Sequence, residues 1–245
     1  MLTSEATWTH PLCSNPEEGS SRFGNTRLRP IVLFGVGSGI VVEVIESCRR
    51  AGQPIAAYIH NRDVPHFLPT GLAARGLSSV DSGLRSCACI CPLFTPANRL
   101  AAATEAEQLG FAFDTYLIDP TAITASDLRV GGGSFVNAGA IIGAATKLGR
   151  NVFVNRGASL GHHNEIGDFV SIGPGAILAG QVVVGPGSMI GTGAVVGPGV
   201  RIGADVVIGA GALVLRDVPA HHTALGPSAR ILASTRTGSD DAKSR

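Results

Sequence analysis

Ile166-Gly167-Asp168-Phe169-Val170-Ser171 is followed by Ile172-Gly173-Pro174-Gly175-Ala176-Ile177, two turns of a six-residue pattern. Stepping by six from Val130 to Val214 meets fifteen residues, and every one is Val, Ile or Leu. The following residue is Gly at eleven of the fifteen, and Asn at Asn137 and Asn155. Two positions before each aliphatic the side chain is usually small or β-branched, as in Ser134, Ala140, Thr146, Val152, Ala158 and Ala176. Neither a strand period of two nor a helix period of 3.6 explains this, and a helix would tolerate few of these glycines. A hexapeptide repeat is the signature of a parallel β-helix. Each unit makes a short strand with its branched side chain inward, then a tight turn, and stacked units bury a column that one unit cannot bury alone.

Outward from the repeat, the chain has 245 residues, a formal net charge of +1, 33 glycines and only 15% charged residues. That balance points to neither nucleic acid nor an anionic membrane as partner. No apolar stretch is long enough to span a bilayer, and no signal peptide stands at the polar start, so a cytoplasmic protein is expected. The five cysteines, Cys13, Cys48, Cys87, Cys89 and Cys91, are odd in number and form no disulfide framework. Cys87, Cys89 and Cys91 alternate along a predicted strand and read as small buried residues rather than metal ligands.

Before the repeat, Pro30-Ile31-Val32-Leu33-Phe34 reads as a buried parallel strand. Gly35-Val36-Gly37-Ser38-Gly39, a helix over 40–51 and a strand over 55–59 complete a βαβ unit that opens a Rossmann-like region. The loop has two readings: a plain tight turn, or a phosphate site in which Gly35, Gly37, Ser38 and Gly39 present backbone to a nucleotide at the helix N-terminus. Ile40 stands where a dinucleotide fingerprint needs its third Gly. A loop and short strand are expected over 71–80, a third strand over 86–92 and a helix over 98–109. The expected divisions are a loose arm, 1–29; a Rossmann-like acceptor domain, 30–118; the β-helix, 119–218; a closing segment with a short strand and a helix, 219–233; and a polar tail, 234–245.

Inside the repeat only His162 and His163 are histidines, and they fall on a turn, which directs them outward. Imidazole is suited to accept a proton from an amine or hydroxyl near neutral pH.

The repeats at Ile166 and at Ile202-Gly203-Ala204-Asp205-Val206-Val207 resemble the hexapeptide acyltransferases. The order of the two regions is similar to the sialic acid O-acetyltransferases and the amino-sugar N-acetyltransferases of the bacillosamine-pathway type. Leu117-Ile118-Asp119-Pro120-Thr121-Ala122 resembles their linker, and Gly226-Pro227-Ser228-Ala229-Arg230 their closing segment. The resemblance implies an α/β Rossmann-like domain followed by a left-handed parallel β-helix, with five coils over 130–214. It implies a homotrimer in which acetyl-CoA, the co-substrate, lies between neighbouring subunits, and transfer of the acyl group to an amine or hydroxyl of a small acceptor such as a nucleotide-linked amino sugar. His162 falls on the family's general base. His163 falls where an acid usually orients it, so either Glu165, Asp168 or an acid from a neighbouring subunit substitutes, or the base is weaker than usual. Gly180, eighteen residues on, falls on the amide that meets the thioester carbonyl, and Ser171 and Pro227 on positions near the coenzyme. Asn155, Arg156 and Asn61 fall near the acceptor. Two other readings stand beside this one: a scaffold without catalysis, and a zinc hydratase of the γ carbonic anhydrase type, whose three-histidine set His162 and His163 cannot supply.

Overall fold

The computed structural model describes residues 28–63 and 67–226. Short aliphatic strands come first. β1 (Ile31–Phe34), β2 (Ile55–Ile59) and β3 (Ala88–Ile90) form a parallel sheet in the order β2-β1-β3. α1 (Val41–Ala51) carries the crossover from β1 to β2 and ends on Gly52 in the left-handed region. α2 (Ser82–Arg85) is capped by Asp81, whose carboxylate accepts from the Leu84 amide. α3 (Pro96–Gln108) starts on a proline, where a missing N–H costs nothing. The strand expected over 71–80 is absent: a single bridge joins Arg75 to Ile59, and Leu77–Ser79 form one 3-10 turn.

Alternation divides the sheet's two faces. Ile31, Leu33 and Ile90 pack with Val41, Val44 and Cys48 of α1 and with Leu117, Phe135 and Phe153 of the repeat region. Val32, Phe34, Cys89 and Cys91 pack with Ala102, Ala103 and Ala106 of α3 and with Phe111. Burial pushes the Cys48 thiol up to about 12 and raises Cys89 well above its ordinary value, so both are inert core residues.

From Leu117 onward the chain winds as a parallel β-solenoid of three sheets, with two-residue strands every six residues. The seven-stranded face runs from β4 (Leu117–Ile118) through β7 (Phe135–Val136), β10 (Phe153–Val154) and β13 (Ser171–Ile172) to β21 (Thr223–Ala224). The six-stranded face includes β11 (Ser159–Leu160) and β14 (Ile177–Leu178). The five-stranded face includes β12 (Glu165–Ile166) and β15 (Val183–Val184). Successive coils pair residue i with residue i+18, as in Phe153 with Ser171 and Leu160 with Leu178.

The inward aliphatics from Val136 to Val214 form one continuous buried cluster, each side chain contributing about 1.5–3 kcal/mol. Ser134 and Ser188 lie in the shaft, each donating to a carbonyl, Gly149 and Gly203, and accepting an amide from the next coil. The winding begins about two hexads before the aliphatic pattern does, because β4 stacks on β7 although Thr124 interrupts the aliphatic series. The last coil is two residues short: Ile202 bridges Val218, and Val207 pairs with Thr223, at a spacing of sixteen. The closing helix expected beyond the short strand lies outside the described residues.

The N-terminal region covers the first four strands of the seven-stranded face. Phe94 and Phe135 both meet Phe153 edge-on, with centroids 5.6 Å and 5.0 Å away. Two polar bolts flank this apolar seam. On α3, Arg99 is buried and has no carboxylate partner among the described residues. It donates to the carbonyls of Asn151 (2.8 Å), Leu93 (2.6 Å), Phe94 (2.9 Å), Phe169 (2.8 Å) and Val170 (3.1 Å) and to the Ser171 hydroxyl (2.9 Å). Burial lowers its pKa to about 10, so it remains a cation at neutral pH. On α1, Ser47 and Arg50 donate to Asp119 at 2.6 Å and 2.8 Å, and the Thr121 amide and hydroxyl close the ring of donors.

Burial alone would push the Asp119 carboxyl up, but donation from Arg50, Ser47 and Thr121 outweighs it and holds the group at about 2, below its ordinary 3.8. A depressed folded-state value stabilises the fold above the unfolded value and ceases to do so as pH falls through the folded one. Asp119 should therefore contribute about 2 kcal/mol at neutral pH, lost between about pH 4 and pH 2. Urea denaturation across that window should show this loss in the native protein, and Asp119→Asn should be less stable at pH 7 and lack that component of the pH dependence.

Candidate active site

The turn between β11 and β12 lies on the corner between the six- and five-stranded faces, opposite the face that carries the N-terminal region. His162 and His163 occupy it and are exposed. His163 has φ 57°, a left-handed conformation that His adopts more readily than most residues. The two rings stand edge to face, with centroids 5.1 Å apart and Nδ1 atoms 3.0 Å apart. Among the described residues neither ring has another hydrogen-bond partner.

Gly180 lies one coil above. Its amide is carried on the same corner, and a β-carbon there would stand 2.6 Å from His162 Cε1 and 2.7 Å from Nε2. The Nε2 edge of His162 is thus seated in the space left by the missing side chain. The sequence readings of His162, His163 and Gly180 converge on this one spot.

The other expected members do not all join them. Glu165 pairs with Lys147 at 3.0 Å along the five-stranded face. Asp168 accepts the Arg150 amide at 2.8 Å. Neither carboxylate contacts His162; the side chain that does is His163. Ser171, expected near the coenzyme, is buried under the N-terminal region, where its hydroxyl donates to the Phe94 carbonyl and accepts from Arg99. Its side chain faces out of the seven-stranded sheet, the covered one, which the hexad pattern alone does not distinguish from the others. Asn155 is buried at the corner between the seven- and six-stranded faces, accepting from Asn137 Nδ2 and from the Arg156 amide. Arg156 pairs with Glu43 in the first turn of α1. Pro227 lies outside the described residues.

A second feature sits at the carboxyl ends of β1, β2 and β3, where open parallel sheets take their ligands. A pocket of about 250 Å³ is lined there by Gly35, Gly37, His60, Asn61, Arg62 and Asn98, with Leu93 and two alanines of α3. Gly35 has φ +84°, and a β-carbon on it would meet Leu93 at 3.0 Å. The Gly35 and Val36 amides both donate to the Ile59 carbonyl, so they hold the turn and not a ligand. The amides of Gly37, Ser38 and Gly39 make no backbone hydrogen bond among the described residues and stand at the N-terminus of α1. Asn61 donates to Glu105 of α3 at 2.7 Å. His60, Arg62 and Asn98 were not among the expected acceptor residues; the strand-end position of His60 and Arg62 was the available signal.

The sequence matches the family described as bacterial transferase hexapeptide (six repeats) over residues 163–198 and 181–216. No curated protein matches it in sequence. Among solved structures, a variant of perosamine N-acetyltransferase from Caulobacter crescentus, in complex with CoA and GDP-perosamine, is 30% identical. That alignment covers 84% of this chain and 97% of the other, with a TM-score of 0.70. The acetyltransferase domain of PglB from Neisseria gonorrhoeae FA1090, in complex with acetyl coenzyme A, is 29% identical over 84% of this chain and all of the other, with a TM-score of 0.72. WeeI from Acinetobacter baumannii AYE shares the fold at 24% identity, 83% and 99% coverage and a TM-score of 0.72.

Thirty per cent identity over nearly the whole of a solved relative places the chain in the hexapeptide-repeat acyltransferases, whose solenoid is of the left-handed type. It is an acetyltransferase that carries a small α/β region ahead of its solenoid.

Gly180→Ala tests the seat of the imidazole. The atoms in the way belong to a mobile ring and not to backbone, so the fold should survive while the ring is displaced. Steady-state kinetics should show turnover lowered by up to about 100-fold, the scale of a misplacement of roughly 1 Å, with the melting temperature little changed.

Proposed function

We propose that the chain transfers the acetyl group of acetyl-CoA to the amine of a nucleotide-linked amino sugar, with His162 as general base. The observation that carries this reading is the exposed imidazole whose Nε2 edge rests against Gly180. The two relatives at 29–30% identity support the ligands: one was crystallised with CoA and GDP-perosamine, the other with acetyl coenzyme A.

In the reaction the amine nitrogen attacks the thioester carbonyl carbon. Its proton passes to His162 Nε2 as the C–N bond forms, the Gly180 amide steadies the oxyanion, and the C–S bond then breaks. The departing thiolate recovers the proton from Nε2, so protons and charge balance. The α/β region, residues 30–118, acts on this reading as a Rossmann-like acceptor domain ahead of the catalytic solenoid, 119–218. Its pocket would hold the nucleotide, with Arg62 and the free amides at the start of α1 facing the phosphates.

The same reading requires a second subunit. The outward side chains of the six-stranded face are Ile123, Ile141, Ser159, Ile177, Val195 and Leu213, an exposed and almost wholly apolar stripe. By contrast, the five-stranded face shows Arg129, Lys147, Glu165 and Arg201. The glycine loop and α1 flank one edge of the apolar face, through Glu43 and Arg156, and His162 lies on the other. One hexad, roughly 15–20 Å, separates them. A trimer packed through that face would bring the pocket of one copy to the base of the next.

Two experiments check this. His162→Ala should lower turnover roughly 10²–10⁴-fold and leave acetyl-CoA affinity unchanged by calorimetry; full activity in that variant would sink the base assignment. Ile177→Asp, placed on an exposed side chain, should convert a trimer to monomers in light scattering and abolish turnover without unfolding the chain.

A further inference from the structure

We infer that His163 is a positioning residue that locks His162 into the tautomer with its proton on Nδ1. The inference rests on the reading of His162 as base and specifies how that base is held.

The contact between the rings admits two tautomeric arrangements, and the role of His162 as base selects one. His162 meets its neighbour through Nδ1, which leaves Nε2, beside Gly180, as the nitrogen for substrate. A base needs its lone pair there. In a neutral imidazole the proton must then sit on Nδ1, and across 3.0 Å it is donated to His163 Nδ1. His163 accepts with that nitrogen and therefore carries its own proton on Nε2.

Among the described residues of one chain no carboxylate shares this task. The turn below, 143–146, and the turn above, 179–182, contain no ionisable side chain. Glu165 is held by Lys147, and Asp127 accepts the Ala145 amide one coil down. A carboxylate in place of His163 would accept from His162 Nδ1 in the same way.

The test uses the full-length protein with no substrate bound. Imidazole ¹⁵N shifts near pH 8 should show His162 protonated on Nδ1 and bare on Nε2, with the reverse for His163. His163→Asn keeps an acceptor oxygen and suits the left-handed backbone. It should retain the His162 tautomer and turnover to within about threefold. His163→Ala removes the acceptor and should lower kcat about 10- to 100-fold with both KM values unchanged. A native spectrum with His162 protonated on Nε2, or unchanged kcat in His163→Ala, would overturn the inference. The tautomer is read without turnover, so failure of the lock is distinguishable from failure of the base, which His162→Ala alone decides.

Discussion

Up to the last coil, each residue of the solenoid is placed by the residue eighteen positions before it. The pairing of i with i+18 runs unbroken from the coil of Phe135 to that of Leu213, and inside a coil the recurring bond is one tight turn, as from the Ala158 amide to the Asn155 carbonyl. Any side chain on a corner therefore has a fixed neighbour above and below. That is why Gly180 lies over His162, why Lys147 meets Glu165, and why the amides of Asn137 and Asn155 join across 3.1 Å. An insertion of one residue between His162 and Gly180 would separate base and seat altogether. A rigid stack holds catalytic groups closely because no loop intervenes.

The N-terminal region has no such ladder to hold it. It rests on aromatic packing over one face and on two polar bolts at the flanking corners. Arg99 serves carbonyls that the corners leave unpaired, and Asp119 collects donors from α1 and from its own turn. Loss of either would strand buried polar groups, the situation proteins tolerate least. These bolts also set the height of α1 along the shaft. Glu43 meets Arg156 in the same coil as His162, so the glycine loop stands near the level of the base although the two lie on different corners.

A single chain thus presents two half-sites with an apolar face between them. The distribution is not accidental to the fold: three faces of a solenoid have equivalent interiors, and only their outward residues tell them apart. One outward set carries Phe135 and Phe153 and is covered over its first four strands, one is mostly aliphatic and bare, and one is mostly charged. The bare face is the one on which the proposed assembly depends.

The sequence by itself determined the solenoid, its period and the inward column, because the inward position needs only an aliphatic residue and the turn only a small one, and both are local demands. It also determined the βαβ opening and singled out His162 and His163 as the histidines of a turn, while Gly180 came from the family resemblance. The tertiary structure alone decided which face each coil turned to which neighbour. Ser171 looks like any strand hydroxyl until the N-terminal region covers it, and Arg99 reads as a solvent-facing helix residue until the carbonyls of Asn151 and Phe169 surround it. Glu165, an apparent partner for the base, is drawn along the charged face to Lys147, and the side chain that meets His162 is His163. These are contacts between residues far apart in sequence or between side chains whose direction depends on a turn, so no local pattern encodes them.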